Sequence, residues 1–199
     1  MDVKARILLD LGRRHLGRTE QLSVLDVGCG VGLTDGYLEG RVGSLQGIDV
    51  SEGVVEEAVR ANPWAKYRTY DGETIPIETG DVDLAFAICV LHHVAPPDRT
   101  AFVRELARVV KPGGLVAIFE HNPLNPLTRL AVSRCDFDRG VVLAGRGRTT
   151  EMLRSAQMDI VERPYILFFP FRAAVLRAVE RHLSWLPLGA QYAVVGRKP

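Results

Sequence analysis

The run Val24-Leu-Asp-Val-Gly-Cys-Gly-Val-Gly32, followed by Asp49 in Gly47-Ile-Asp-Val-Ser51, narrows the folds open to this chain more than any other feature. It describes a short buried strand, a glycine-rich turn, a helix start and an acidic residue closing the next strand. Glycines let the backbone take positive φ and approach a ligand with no Cβ in the way. Such an arrangement holds a nucleoside-bearing cofactor. In a dinucleotide site the fingerprint is Gly-x-Gly-x-x-Gly, with the pyrophosphate on the helix N-terminus. Here Gly28 and Gly30 fit, but the third position is Leu33 and the extra glycine is Gly32. Asp26, two residues before the first glycine, would repel a pyrophosphate and orient a cationic amino group. The spacing favours S-adenosylmethionine (SAM) over NAD, with Asp49 accepting hydrogen bonds from the ribose hydroxyls.

Composition adds limits. A chain of 199 residues, 47% hydrophobic and 25% charged, suits one domain over 1–199 with a sizeable core. A net charge of +1 gives no reason to expect a nucleic-acid partner. Three cysteines, an odd number, suggest no disulfide framework and suit the reduced thiols of a cytosol. The N-terminal residues mix charge with leucine, unlike a signal peptide, and no apolar run is long enough to span a bilayer. The expectation is a cytoplasmic protein.

Apolar spacing over residues 4–16 predicts an amphipathic helix within an N-terminal segment 1–20. Strand and helix patterns then alternate. Strands are predicted at 23–27, 45–49, 66–70, 82–89 and 115–120. Helices are predicted from the glycine turn to about 38, from an N-cap at Ser51 to about 61, and over 98–109, with a tight turn at Lys111-Pro-Gly-Gly. Residues 122–147 are rich in Pro, Arg and Gly and read as an inserted loop or short helix that covers the active site. A helix at 149–157, a strand at 159–168, a helix at 171–185 and a strand at 191–197 complete the chain. This alternation predicts an α/β, Rossmann-like, doubly wound and mostly parallel seven-stranded sheet with helices on both faces. Ligands of such sheets bind outside the carboxyl ends of the strands, where Asp26, Asp49, Asp71, Cys89 and Glu120 are predicted to gather.

From Leu22 to Phe119 the chain resembles class I SAM-dependent methyltransferases, in particular the small-molecule branch that includes quinone-biosynthesis methyltransferases. The resemblance rests on the glycine turn, Gly-Ile-Asp-Val-Ser, Tyr-Asp-Gly-Glu-Thr-Ile-Pro-Ile, Asp-Val-Asp-Leu-Ala-Phe-Ala-Ile-Cys-Val-Leu-His-His-Val and Arg-Val-Val-Lys-Pro-Gly-Gly, in that order. It implies SAM as methyl donor and S-adenosylhomocysteine as product. Asp26, Gly28 and Gly30 would surround the methionine moiety, Asp49 with Val50 the ribose, and Asp71 with Gly72 the adenine. Ile88 and Cys89 would present backbone near the sulfonium. It also implies a last strand lying antiparallel at the sheet edge. The slot where nucleobase amino methyltransferases carry Asn-Pro-Pro-Tyr holds Ile-Cys-Val-Leu instead, and no metal site of the catechol methyltransferase kind is evident.

A small-molecule acceptor methylated on oxygen or carbon is the expected substrate; a SAM-binding regulator or scaffold without catalysis is the alternative. If the acceptor must lose a proton, histidine suits the task near neutral pH. His92, His93 and His121 fall near strand ends, and since adjacent residues diverge, at most one of the first two should face the acceptor. Each is read either as a base or as a structural histidine. His15 and His182 are placed on surface helices. Arg129, Arg134, Arg139, Arg146 and Arg148 make the insertion basic, which fits either an anionic acceptor or solvated charge. The apolar stretch 165–171, with Trp185 and Leu188, is read as edge strand and core, or as an acceptor pocket or a surface touching a membrane. Nothing in the sequence sets an oligomeric state.

Overall fold

The computed structural model describes residues 3–169, 180 and 182–199. Helix α1 (Val3–His15) precedes β1 (Ser23–Val27), β2 (Ser44–Asp49), α2 (Glu52–Ala61), β3 (Lys66–Thr69), β4 (Val82–Ile88), α3 (Arg99–Val109) and β5 (Val110–His121). Then come α4 (Pro126–Ser133), α5 (Arg146–Ser155), β6 (Asp159–Glu162), β7 (Tyr165–Ile166) and β8 (Gln191–Arg197). The sheet runs β3-β2-β1-β4-β5-β8-β6, with β7 also paired to β8. Strands β1 to β5 are mutually parallel, and β8 is antiparallel to all its neighbours. Strand order reverses between β1 and β4, so the crevice of a doubly wound sheet opens at their carboxyl ends.

Side-chain alternation along the strands sorts the core into two layers. Leu25, Val27, Ala85, Ala87, Val116 and Ile118 face Phe102, Val103 and Leu106 of α3 and Met152 and Leu153 of α5. Val24, Leu84, Phe86, Leu115, Ala117 and Phe119 face Ala5, Leu8, Leu9 and Leu11 of α1. Each fully buried large side chain contributes about 1.5–3 kcal/mol. Because β4 and β5 are covered on both faces, they read as unbroken apolar runs.

Several expectations are corrected, and the seven expected strands become eight. The helix after the glycine turn is replaced by one 3-10 turn, Asp35–Tyr37. Gly32, Gly36 and Gly40 each cost a helix about 1 kcal/mol, and Asp35-Gly36 is a turn pair. The strand expected over 159–168 is split into β6 and β7, with Pro164 between them and Leu167 at φ 60°. The last strand is antiparallel as expected, but it lies between β5 and β6 and not at the edge. Ser51 stands at the N-cap of α2 yet makes no side-chain cap bond; its N–H is held by Asp49 Oδ1 at 3.0 Å.

The turn expected at residues 111–114 is a bulge within β5, where the register against β4 shifts and Gly113 takes φ 78°. The insertion contains α4, capped by Asn125 Oδ1 on the N–H groups of Leu127 and Thr128. Most of the helix expected over 171–185 lies outside the described residues. No helix among the described residues is long and apolar enough to cross a membrane.

Candidate functional site

The glycine turn wraps the end of β1. Gly28 and Cys29 donate to Ile48 O of β2 at 2.8 and 3.0 Å, and Gly28 sits at φ 76°. A Cβ on Gly28 would lie 2.3 Å from Val90 Cγ2, so this glycine admits the chain that leaves β4. Gly30, at φ 52°, donates to Asp49 Oδ2 at 2.9 Å. Asp49 therefore ties the glycine turn to the end of β2. Asn62 Nδ2 holds Gly32 O at 2.9 Å from the other side.

Asp26 is buried at the end of β1, and a residue missed by the sequence reading, Asp35, is buried beside it. The two carboxyls are close enough to act on each other, and Tyr67 Oη donates to Asp35 Oδ2 at 2.8 Å. Burial, then the charge and hydrogen bond of Asp35, push the Asp26 carboxyl well above its ordinary range. Burial raises Asp35 to about 6, against the bonds from Tyr67 and Asp26. One oxygen of each, Asp26 Oδ1 and Asp35 Oδ1, is buried with no hydrogen-bond partner among the described residues. An unmatched buried oxygen calls for a donor, and an ammonium group supplies one. With no α-helix after the turn, there is also no helix N-terminus for a pyrophosphate.

Asp71 and Gly72, which the resemblance assigns to the adenine, follow the next strand end. Tyr70 N–H donates to Asp49 O at 3.1 Å. Burial, then the charges of Asp49 and Asp71, raise the Tyr70 phenol to about 12. Asp71 Oδ1 accepts from the N–H groups of Glu73 and Thr74, and these bonds lower its pKa. Gly72, at φ 85°, would carry a Cβ 3.2 Å from Val50 Cγ1, and Val50 itself is exposed. Asp26, Gly28, Gly30, Asp49, Val50, Asp71 and Gly72 thus occupy one continuous lip.

The opposite lip begins after Ile88. Cys89 takes φ 58°, rare for a non-glycine residue, while its N–H pairs with Phe119 O at 2.8 Å. Its thiol is raised to about 12, chiefly by burial, and accepts from Gln191 Nε2 at 3.2 Å. Gln191 Nε2 also stands 3.5 Å from His121 Nδ1, so Gln191 bridges the ends of β4 and β5. His121 is half-buried; burial and then the charge of His92 lower its pKa. Lys4, at the start of α1, is close enough for its charge to act on Asp26, Cys89 and His121.

The histidine expectation needs revision. His92 and His93 leave β4 on a turn, where neighbours can converge, and both approach Asp138 Oδ1, at 3.3 and 3.4 Å. His92 is buried, with Nδ1 2.7 Å from Glu120 Oε2. Burial lowers its pKa, but the hydrogen bond and charge of Glu120 and the charge of Asp138 outweigh this and raise it. His93 is lowered by burial and then by His92. The three rings cluster at tilted angles, His92 lying 4.2 Å from His93 and 5.2 Å from His121 between centroids. Among the described residues, His92, His93 and Asp138 form a group close enough to hold a metal ion, which the sequence reading did not expect.

Other candidates fall away from this centre. His15 is not a free surface group: its Nε2 lies 2.8 Å from Glu162 Oε1. Arg129, Arg134, Arg139 and Arg148 are exposed, and Arg139 pairs with Asp136 at 2.6 Å. Arg146 donates to Arg163 O at 2.7 Å and stacks 4.0 Å above the Tyr165 ring. Tyr165 and Ile166 are buried, whereas Trp185 and Leu188 are exposed.

A switch-point crevice, one lip a positive-φ glycine turn with acidic strand ends, defines an α/β protein built for a nucleoside-bearing ligand. Residues 25–118 match the family model described as a methyltransferase domain. The 2-methyl-6-phytyl-1,4-hydroquinone methyltransferase of Synechocystis sp. is 34% identical over 104 residues, covering 50% of this chain and 32% of that protein. The ubiquinone biosynthesis O-methyltransferase of Xanthomonas oryzae pv. oryzae is 29% identical over 163 residues, 75% of this chain and 67% of that one. The chain spans less than half the length of several curated relatives it matches, the Synechocystis protein among them. The fold matches a structure of an S-adenosylmethionine dependent methyltransferase from Mesorhizobium loti, with a TM-score of 0.67 at 22% identity over 94% of this chain and 95% of that one. Over about half its length this chain is thus similar to methyltransferases, and its fold is the one that SAM-dependent methyltransferases adopt.

Proposed function

We propose that this protein transfers a methyl group from SAM to oxygen or carbon of a small-molecule acceptor. The observation that carries the reading is the buried, unmatched Asp26 oxygen beside the positive-φ glycine turn, with Asp49 gripping that turn at the neighbouring strand end. The donor set fits SAM. Asp26 meets the ammonium of the methionine moiety, Gly28 and Gly30 let that moiety approach the backbone, and Asp49 faces the ribose hydroxyls. Val50, Asp71 and Gly72 flank the adenine, and the backbone of Ile88 and Cys89 borders the sulfonium. When bound, SAM supplies a methyl group on an electrophilic sulfonium.

Against so reactive a donor, the chain's main contribution is to position the acceptor and exclude water. His121 is the candidate to take the acceptor's proton, a reading supported by Gln191 lying against both its ring and Cys89. His92 is unsuited to that task, since it is buried and carboxylates stand against both ring nitrogens. An apolar or aromatic acceptor is supported by the exposed Leu124, Leu127 and Phe137 of the insertion, and by relatives named for hydroquinone and ubiquinone-biosynthesis substrates.

The test pairs binding with turnover. Thermal unfolding is measured with S-adenosylhomocysteine, with NAD, and in Asp49→Ala; a panel of phenolic and quinol acceptors is then assayed for methylated product. S-adenosylhomocysteine at a hundred times its dissociation constant should stabilise the protein by about 2.7 kcal/mol, and Asp49→Ala should lose most of that shift. Stabilisation by NAD alone would overturn the reading. Stabilisation by S-adenosylhomocysteine without methylated product from any acceptor would indicate a SAM-binding regulator.

A further inference from the structure

We propose that His92 Nε2, His93 Nε2 and Asp138 Oδ1 bind one divalent transition-metal cation of the zinc type, a site separate from the SAM-binding lip. The three ligand atoms lie within 4.8 Å of one another. Their spacing fits a cation better than hydrogen bonds. The two His–Asp138 distances, 3.3 and 3.4 Å, exceed the 2.7–2.9 Å of charge-assisted hydrogen bonds. A tetrahedral centre with bonds of about 2.0–2.1 Å has ligand-to-ligand edges of about 3.3–3.4 Å.

Proton accounting points the same way. Glu120 accepts from the backbone N–H groups of His92 and His121, both at 3.3 Å, and from the His92 ring at 2.7 Å. With a backbone N–H already on each Glu120 oxygen, the short Nδ1 contact fits a ring proton on Nδ1 and leaves Nε2 facing Asp138. His92 Nε2 faces Asp138 Oδ1 across 3.3 Å, and a bound cation would take the place of the proton between them. A cation between them satisfies both atoms. The Glu120–His92 pair becomes the carboxylate–imidazole support that orients a metal-bound histidine. Two imidazoles and one carboxylate suit zinc and its late first-row neighbours, and not calcium or magnesium, which favour all-oxygen sites.

The scaffold holds both ligand segments. The guanidinium of Arg99 donates to Val94 O at 2.9 Å, to His92 O at 3.4 Å and to Val142 O at 2.6 Å, joining the turn after β4 to the insertion. The cation adds a second clamp between the same two segments. Three protein ligands leave a fourth tetrahedral position for solvent or an oxygen of a bound molecule.

The test uses the full chain without an affinity tag, freed of metal by dialysis against a chelator and titrated calorimetrically with zinc. Cobalt(II) is the spectroscopic probe. The expected result is one zinc per chain and a tetrahedral cobalt spectrum. His93→Ala alters a half-exposed side chain and should fold; it and Asp138→Asn should each weaken zinc binding by more than the 10–100-fold typical of losing an outer-shell partner. Stabilisation by S-adenosylhomocysteine should persist in both variants, which shows that they remain folded. Absence of zinc binding, affinity unchanged in both variants, or nitrogen NMR showing both His92 ring nitrogens protonated at saturating zinc would overturn the proposal.

Discussion

Gly28→Ala is the sharpest test of how the glycine turn is built. At φ 76° an alanine costs about 1–2 kcal/mol of backbone strain. Its Cβ would also stand 2.3 Å from Val90 Cγ2 and 3.0 Å from Val90 Cγ1. To move both methyls away Val90 must change its χ1 rotamer, which is restricted for a β-branched residue, and its Cβ would still stand at 3.3 Å. Overpacking of this kind adds about 1–3 kcal/mol, for a total near 2–5 kcal/mol. Gly30→Ala is the internal control: its φ is 52°, but a Cβ there meets nothing within 4 Å, so only the strain of about 1–2 kcal/mol applies. At about 2–4 °C per kcal/mol for a chain of this size, Gly28→Ala should lower Tm by roughly 4–20 °C, and clearly more than Gly30→Ala. In a urea-unfolding double-mutant cycle, Val90→Ala should restore about 1–3 kcal/mol to Gly28→Ala. Equal costs at the two glycines, or no recovery with Val90→Ala, would refute the contact between the turn and the chain leaving β4.

Three further outcomes are expected. Asp35 and Asp26 both titrate higher folded than unfolded, so the folded state binds more protons. Their stabilising contribution is full below about pH 4 and is lost as pH rises through about 6 and beyond. The Tm of the ligand-free protein should therefore fall between pH 5 and 7.5 relative to Asp35→Asn, whose profile should be flatter; parallel profiles would contradict the assignment. Asp49→Ala should weaken S-adenosylhomocysteine binding by about 10–100-fold, the worth of hydrogen bonds to a charged group, as read by calorimetry. Arg99→Met should destabilise by at least about 3 kcal/mol in urea unfolding, because three carbonyls lose their donor, and Arg99→Lys should recover little because one ammonium lacks the planar fork.

The sheet was legible because its strands carry local signals: apolar runs for β4 and β5, and acidic residues at the carboxyl ends of β1 and β2. Those signals need no partner to be read. The expected helix after the glycine turn gives way to a 3-10 turn because Asp35-Gly36 favours a turn. Asp138 and Gln191 were illegible for another reason. They meet His92 and His121 across 46 and 70 residues, and tertiary closure, not spacing, brings them together. Arg99, a charged residue at the start of α3, is buried against three carbonyls, a placement that no local pattern announces. The left-handed Cys89 gave no warning, because nothing about a cysteine announces positive φ.

The placement of β8 inside the sheet has a consequence for biosynthesis. A ribosome delivers β1 to β5 well before residues 191–197 emerge. During that interval the β5 ladder from Leu115 to His121, buried in the finished protein, has an open edge that another chain can pair with. The interval also spans the 70 residues between His121 and Gln191, so a nascent chain can form the glycine-turn lip while the opposite lip is still incomplete. Vulnerability to aggregation should peak in nascent chains stalled between β5 and β8, and a chaperone that shields strand edges should act in that window.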